Sequence, residues 1–122
     1  MPWLVHFHPD FAPEVRVLSG LVQRELAALV AVLKLFGPHM RRPGSDTLAG
    51  SRHANMKELR FDAGGGVWRV AYAFDPERKA ILLVAGDKSG VGQKRFYRSL
   101  IRRADDRFDV HLASLKRGRS KK

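Results

Sequence analysis

MKELRFDAGGGVWRVAYAFDPERKAILLVA, residues Met56 to Ala85, holds three runs of apolar, aromatic and β-branched residues set apart by two clusters of turn formers. Met56 to Phe61, Val67 to Phe74 and Ala80 to Ala85 read as strands, since side chains of this kind pack well on a pleated surface. Asp62-Ala63-Gly64-Gly65-Gly66 and Asp75-Pro76-Glu77-Arg78-Lys79 carry the turn chemistry between them. Strands joined by such short connections pair most simply as an antiparallel meander.

Alternation along these strands places the charges. In Val67 to Phe74 the large residues Trp68, Val70, Tyr72 and Phe74 share one face, which leaves Arg69 with Ala71 and Ala73 on the other, an expected open floor. Leu59 and Phe61 prefer the core side of the preceding strand. Glu58 and Arg60 then join Arg69 on the exposed face if the two strands form a hairpin. A carboxylate and two guanidiniums converging in this way suit phosphodiester chemistry, the guanidiniums holding a phosphate and the carboxylate orienting an arginine or accepting a proton. A plain cross-strand charge pair is the alternative.

Outward from this core, Trp3 to Phe7 reads as an opening strand. Asp10 offers an N-cap for a short helix to about Leu18. From Leu21 to Phe36, Val22, Leu26, Leu29, Val30, Leu33 and Phe36 recur at spacings of three and four, an amphipathic helix stopped by Gly37-Pro38. Met40 to Asn55 is expected to be an extended connector without regular structure. After a second connector, Gly86 to Gly92, the residues Phe96, Leu100, Ala104, Phe108 and Leu112 mark a final helix that packs on the sheet. The expected fold is α+β, a single domain ordered β-α-α-β-β-β-α with an antiparallel sheet packed by helices, spanning residues 1–115 and followed by a basic mobile tail at 116–122.

Composition narrows the partner. Among 122 residues, 23 are Lys or Arg against 12 Asp or Glu, a formal net charge of +11, so a polyanion is expected and nucleic acid is the first candidate. A basic surface that serves solubility or awaits an acidic protein is the alternative. With no Cys, disulfides and thiolate metal sites are excluded. The start does not read as a signal peptide, and the apolar run Leu26 to Phe36 is broken by Lys34 and too short for a bilayer; a cytoplasmic location with no membrane partner is expected.

Further candidates lie around the sheet. Gly86-Asp87-Lys88-Ser89-Gly90 fails as a phosphate loop because Asp87 precedes the lysine, yet Lys88 alone suits a phosphate contact. Tyr97, early in the last helix, could stack on a base or bond a phosphate, or simply be a core aromatic. His53 suits proton transfer if its loop folds over the site. His6 and His8 lack a third ligand, so no metal and no cofactor are expected.

Gly50-Ser51-Arg52-His53-Ala54-Asn55-Met56-Lys57-Glu58-Leu59-Arg60, Val67-Trp68-Arg69-Val70, the run Ala80 to Gly90 and the Phe96-Tyr97 helix together resemble the phage-derived RelE/HigB-like toxins of type II toxin-antitoxin modules. The resemblance implies a microbial ribonuclease-like fold. It also implies metal-independent cleavage of messenger RNA, typically in the ribosomal A site, with the 2′-hydroxyl attacking the adjacent phosphate. By position, Arg69 is similar to the sheet arginine that contacts the scissile phosphate, Lys88 to a basic residue after the last strand, and Tyr97 to a helical tyrosine. The family's two alternating lysines are not matched: Glu58 occupies one of those positions and Lys57 falls on the opposite face. The general base is therefore open between Glu58 and His53, or the chemistry rests on electrostatic stabilisation and ribosomal groups alone. Arg52, Lys57, Lys94 and Arg95 are expected RNA and phosphate contacts. An acidic or helix-turn-helix antitoxin is the implied protein partner. Two other readings are a ParE-like toxin that inhibits DNA gyrase by binding, and an inactive nucleic-acid-binding relative.

Overall fold

The computed structural model describes residues 2–120, with side chains described to residue 118. The elements are β1 (Val5–Phe7), α1 (Ala12–Arg16), α2 (Gly20–Phe36), a 3₁₀ turn (Gly37–His39), β2 (Ser45–Thr47), β3 (Lys57–Ala63), β4 (Gly66–Phe74), β5 (Ala80–Asp87) and α3 (Gln93–Ser120). One sheet of five strands runs in the order β1-β5-β4-β3-β2.

The meander is present as β3, β4 and β5. Its first turn is tighter than expected, because β3 runs on through Asp62 and Ala63 and leaves Gly64 and Gly65 alone at the tip. Both have positive φ, the backbone that a two-residue hairpin turn demands and glycine supplies without strain.

Three expectations are corrected by the sheet and helix ends. The connector Met40 to Asn55 contains a strand, β2, paired antiparallel to β3 and anchored by a buried 2.6 Å hydrogen bond between the Ser45 and Tyr72 hydroxyls. β1 runs parallel to β5, so the sheet is antiparallel except at that edge, where the two helices between β1 and β2 carry the chain across. Asp10 does not cap α1: Phe11 holds that position, and the Asp10 N–H donates to His8 Nδ1. Ser19 does cap α2, accepting from the Val22 N–H. At the far end of α2, Gly37 lies under Trp3, where an added Cβ would stand 2.4 Å from the indole ring.

The sheet is covered on both faces. Leu26 and Leu33 of α2, with Phe11, pack on Leu59, Val70, Tyr72 and Leu82. On the other face, Phe96, Leu100, Ala104 and Phe108 of α3 pack on Ala71, Ala73, Ile81 and Leu83. The open floor expected beneath Arg69 is therefore roofed: small Ala71 and Ala73 let α3 approach closely, and Gly86 leaves room for the Phe96 ring. Arg107 ties the helix down, forking onto Glu14 and donating to the Leu83 carbonyl. Helical structure continues through Lys116 to Ser120, where a tail was expected; residues 121 and 122 lie outside the described residues. No helix among the described residues is long and apolar enough to cross a membrane.

Candidate functional site

β3 and β4 pair so that Arg60 stands directly opposite Arg69 and Glu58 opposite Ala71. Like charges in that position repel, and Glu58, two residues back on the same face, offsets the repulsion. Arg60 Nη1 donates to Glu58 Oε2 at 2.9 Å, and Arg69 Nε lies 3.9 Å from Oε1. Arg69 is fixed further by donating from Nη1 to the Trp68 carbonyl and from Nε to Tyr97 Oη. The side chains of Glu58 and Arg69 are 4% and 6% exposed and that of Arg60 26%, so one guanidinium reaches solvent while the other is built into the wall. Glu58 Oε1 is buried and accepts no hydrogen bond among the described residues.

Tyr97 stands at the edge of the α3 roof. Burial first, and then the neighbouring Glu58 carboxylate, raise its phenol above the ordinary tyrosine range against the opposing pull of Arg69. At neutral pH it is therefore a hydroxyl donor rather than a base.

The cluster opens into a groove of about 780 Å³. Glu58 and Arg60 form its floor, the β2 segment with Arg42 and Asp46 one wall, and Lys94, Tyr97 and Arg98 of α3 the other. Arg42 chelates Asp46 at 2.8–2.9 Å, and that hydrogen bonding holds the Asp46 carboxyl below its usual range. Lys94 and Arg98, one helical turn apart, have no hydrogen bond or ion pair among the described residues. A second groove of about 420 Å³ shares Arg42 and Arg60 and adds Arg69. The two form a track suited to an extended polyanion, with cations at its centre and along its sides.

Glu58, Arg60, Arg69 and Tyr97 are thus brought together, with Lys94 on the rim. Lys88 bonds through its backbone N–H to the Val67 carbonyl, which places it on the Arg69 face one rung toward the hairpin tip, outside both grooves. Arg95 borders a separate small cavity with Phe96 and Arg103. Lys57 lies on the α2 side, between Thr47 and Tyr72, as alternation required, and does not join the cluster.

His53 and Arg52 are corrections. Their loop is folded against the far part of α3, where His53 Nε2 pairs with Asp109 Oδ1 at 2.7 Å and its ring packs edge-on against Phe108. Arg52 bonds Asp109 and Asp106. Asp109 is 12 residues beyond Tyr97, about 18 Å along the helix at 1.5 Å per residue. Neither residue reaches the groove. Arg42 and Arg98 also line the groove, and the sequence reading does not single them out. Arg98 follows Lys94 by four, a spacing that could have revealed it; nothing local marks Arg42.

A family profile described as phage derived protein Gp49-like matches residues 13–109. The chain belongs to the phage-derived Gp49-like family. The matched segment holds every residue of the groove and omits β1 and the end of α3. Two Mycobacterium tuberculosis proteins designated as toxins are similar. HigB3 is 46% identical over 106 residues, covering 84% of this chain and 90% of its own length. HigB2 is 46% identical over 87 residues, 70% of this chain, and the match spans only 43% of that longer protein. Among solved structures, a double mutant of the Escherichia coli toxin RelE in its free state superposes with a TM-score of 0.60 at 15% identity, over 83% of this chain and 95% of that one. RelE in a RelE–RelB complex from Pyrococcus horikoshii gives 0.54 at 17%, over 75% and 100%. The Gp49-like chain therefore has the RelE fold.

Proposed function

We propose that this Gp49-like protein is the toxin of a type II toxin-antitoxin module and that it cleaves messenger RNA on the ribosome. The observation that carries the reading is the Arg60–Arg69 pair, held across two strands by one buried carboxylate at the floor of a cationic groove. The toxin designation of its HigB relatives and the RelE fold support it.

In the reaction proposed, the ribose 2′-oxygen bonds to the adjacent phosphorus as the bond to the 5′-oxygen breaks, giving a cyclic phosphate and a 5′-oxygen that takes a proton from water to become a free 5′-hydroxyl. Arg60 meets the non-bridging oxygens, and Arg69, aimed by Tyr97 and the Trp68 carbonyl, supports their growing charge. Glu58 takes the 2′-hydroxyl proton in this reading, which the lack of a hydrogen-bond donor to its Oε1 among the described residues supports. Tyr97 is a protonated donor that steadies the phosphate or the leaving oxygen. Lys88, Lys94 and Arg98 hold flanking phosphates. An acidic or helix-turn-helix antitoxin covering the same cationic face would suppress the activity, and the RelE–RelB complex supports such a partner.

Inducing the chain in a cytoplasmic expression host and mapping transcript ends tests the reading. Growth arrest with new 5′-hydroxyl ends is expected, and Arg69→Ala and Lys88→Ala should lessen both. A toxic wild type that leaves transcripts intact rejects it, and gyrase inhibition would replace it with a binding toxin.

A further inference from the structure

Asp62 is out of place in a phosphate-binding groove. It follows Arg60 by two residues on β3, so alternation sets it on the same sheet face, opposite Val67. It borders the second groove with Arg42, Pro43, Arg60 and Arg69. Although three guanidiniums line that space, exposed Asp62 makes no hydrogen bond or ion pair among the described residues.

A free carboxylate repels phosphate. A ribonucleotide strand whose phosphate rests on Arg60 and Arg69 must present some other group to Asp62, one rich in N–H donors. The base edges are the part of the strand that fits. Guanine alone carries two neighbouring donors, N1–H and N2–H, on its Watson–Crick edge, and these match the two oxygens of a carboxylate. Adenine and cytosine set one amino group beside an acceptor nitrogen, and uracil offers a single N–H between carbonyls.

We infer that this groove is a nucleobase subsite in which Asp62 selects guanine next to the phosphate gripped by Arg60 and Arg69. The inference rests on the RNA-cleaving reading above. Arg42, which lines both grooves, supplies a planar guanidinium on which the base can stack.

Equilibrium binding of the full chain to short 2′-O-methylated oligouridylates, unmodified in sequence or with one central G, A or C, tests it without cleavage. The wild type should bind the G-containing oligonucleotide about tenfold tighter than the others, within the range of a bidentate base contact. Asp62→Ala should weaken that complex and leave the other three unchanged or tighter, because it removes a negative charge from their path. Equal wild-type affinities, preference for another base, or a guanine preference that survives Asp62→Ala each overturn the assignment. Transcript mapping separates the two claims. Guanine-selective binding by a toxin that leaves transcripts intact rejects the nuclease and keeps the subsite; cleavage without guanine bias does the reverse.

Discussion

The two ends of α3 carry similar side chains toward opposite ends. Around Asp105 and Asp109 the carboxylates are paired: Ser51 Oγ and the Arg52 N–H bond Asp105, while Arg52 and His53 close on Asp109. Around Tyr97, among the described residues, Glu58 Oε1 has only the Arg69 guanidinium at 3.9 Å and no close donor, Arg60 pairs with Glu58 yet reaches solvent, and Lys94 and Arg98 have no partner. An arrangement that satisfies its own polar groups has no demand left for a ligand. One that leaves a buried acceptor and several cations unmet is built to be completed from outside. On this comparison the His53 end is a clasp and the Tyr97 end is the proposed site.

The sharpest way to break the comparison is Glu58→Gln, which preserves shape and removes the proton acceptor. Cleavage, measured as single-turnover rate on ribosome-bound message, should fall about 10²–10⁴-fold, the usual worth of a general base. Retention of wild-type rate would move Glu58 to a purely positioning role. Arg60→Ala follows, with an expected loss of about 10²–10³-fold, comparable to removing one oxyanion donor. Its thermal midpoint should fall as well, because the buried Glu58 carboxylate loses the donor to its Oε2. The opposite end should respond in stability alone. Asp105→Ala strands the Ser51 hydroxyl and the Arg52 N–H beside a buried position and should cost about 1–3 kcal/mol by denaturant titration. Its chemical step should keep its rate when the protein is folded. A selective loss of rate in Asp105→Ala would erase the distinction between the two ends.

Periodic elements were readable from the sequence because each repeats its pattern over several residues. α2, α3 and the meander all do so, and the meander's alternation alone brings Glu58, Arg60 and Arg69 to one face. β2 was not readable: Ser45-Asp46-Thr47 is a polar edge strand that forms because β3 offers it a partner. Arg42 was hidden with it. The roof over Arg69 depends on how closely α3 settles on Ala71 and Ala73, a matter of packing that two alanines in a strand do not announce. His53 misled for a similar reason. The residue that claims it, Asp109, is 56 positions away, and only the folded chain brings the two together.

The smallest expected effect concerns that pair. Asp109 is held below the ordinary aspartate range chiefly by its hydrogen bond from Arg52 and then by His53, with burial opposing. A carboxyl whose pKa is depressed on folding stabilises the fold above its unfolded value, near pH 4, and loses that contribution as the pH falls through the folded value. Both Arg52 and Asp109 are about half exposed, so solvent and salt screen the pair and Arg52→Ala should cost little stability. Denaturant midpoints compared at pH 7 and pH 3 should show the wild type losing slightly more than Arg52→Ala on acidification, and 1 M salt should shrink the difference. Transcript cleavage by Arg52→Ala should match the wild type at neutral pH. If that variant cleaved poorly while folding normally, Arg52 would bind RNA after all, and a satisfied clasp would no longer be a reliable sign of a structural role in this protein.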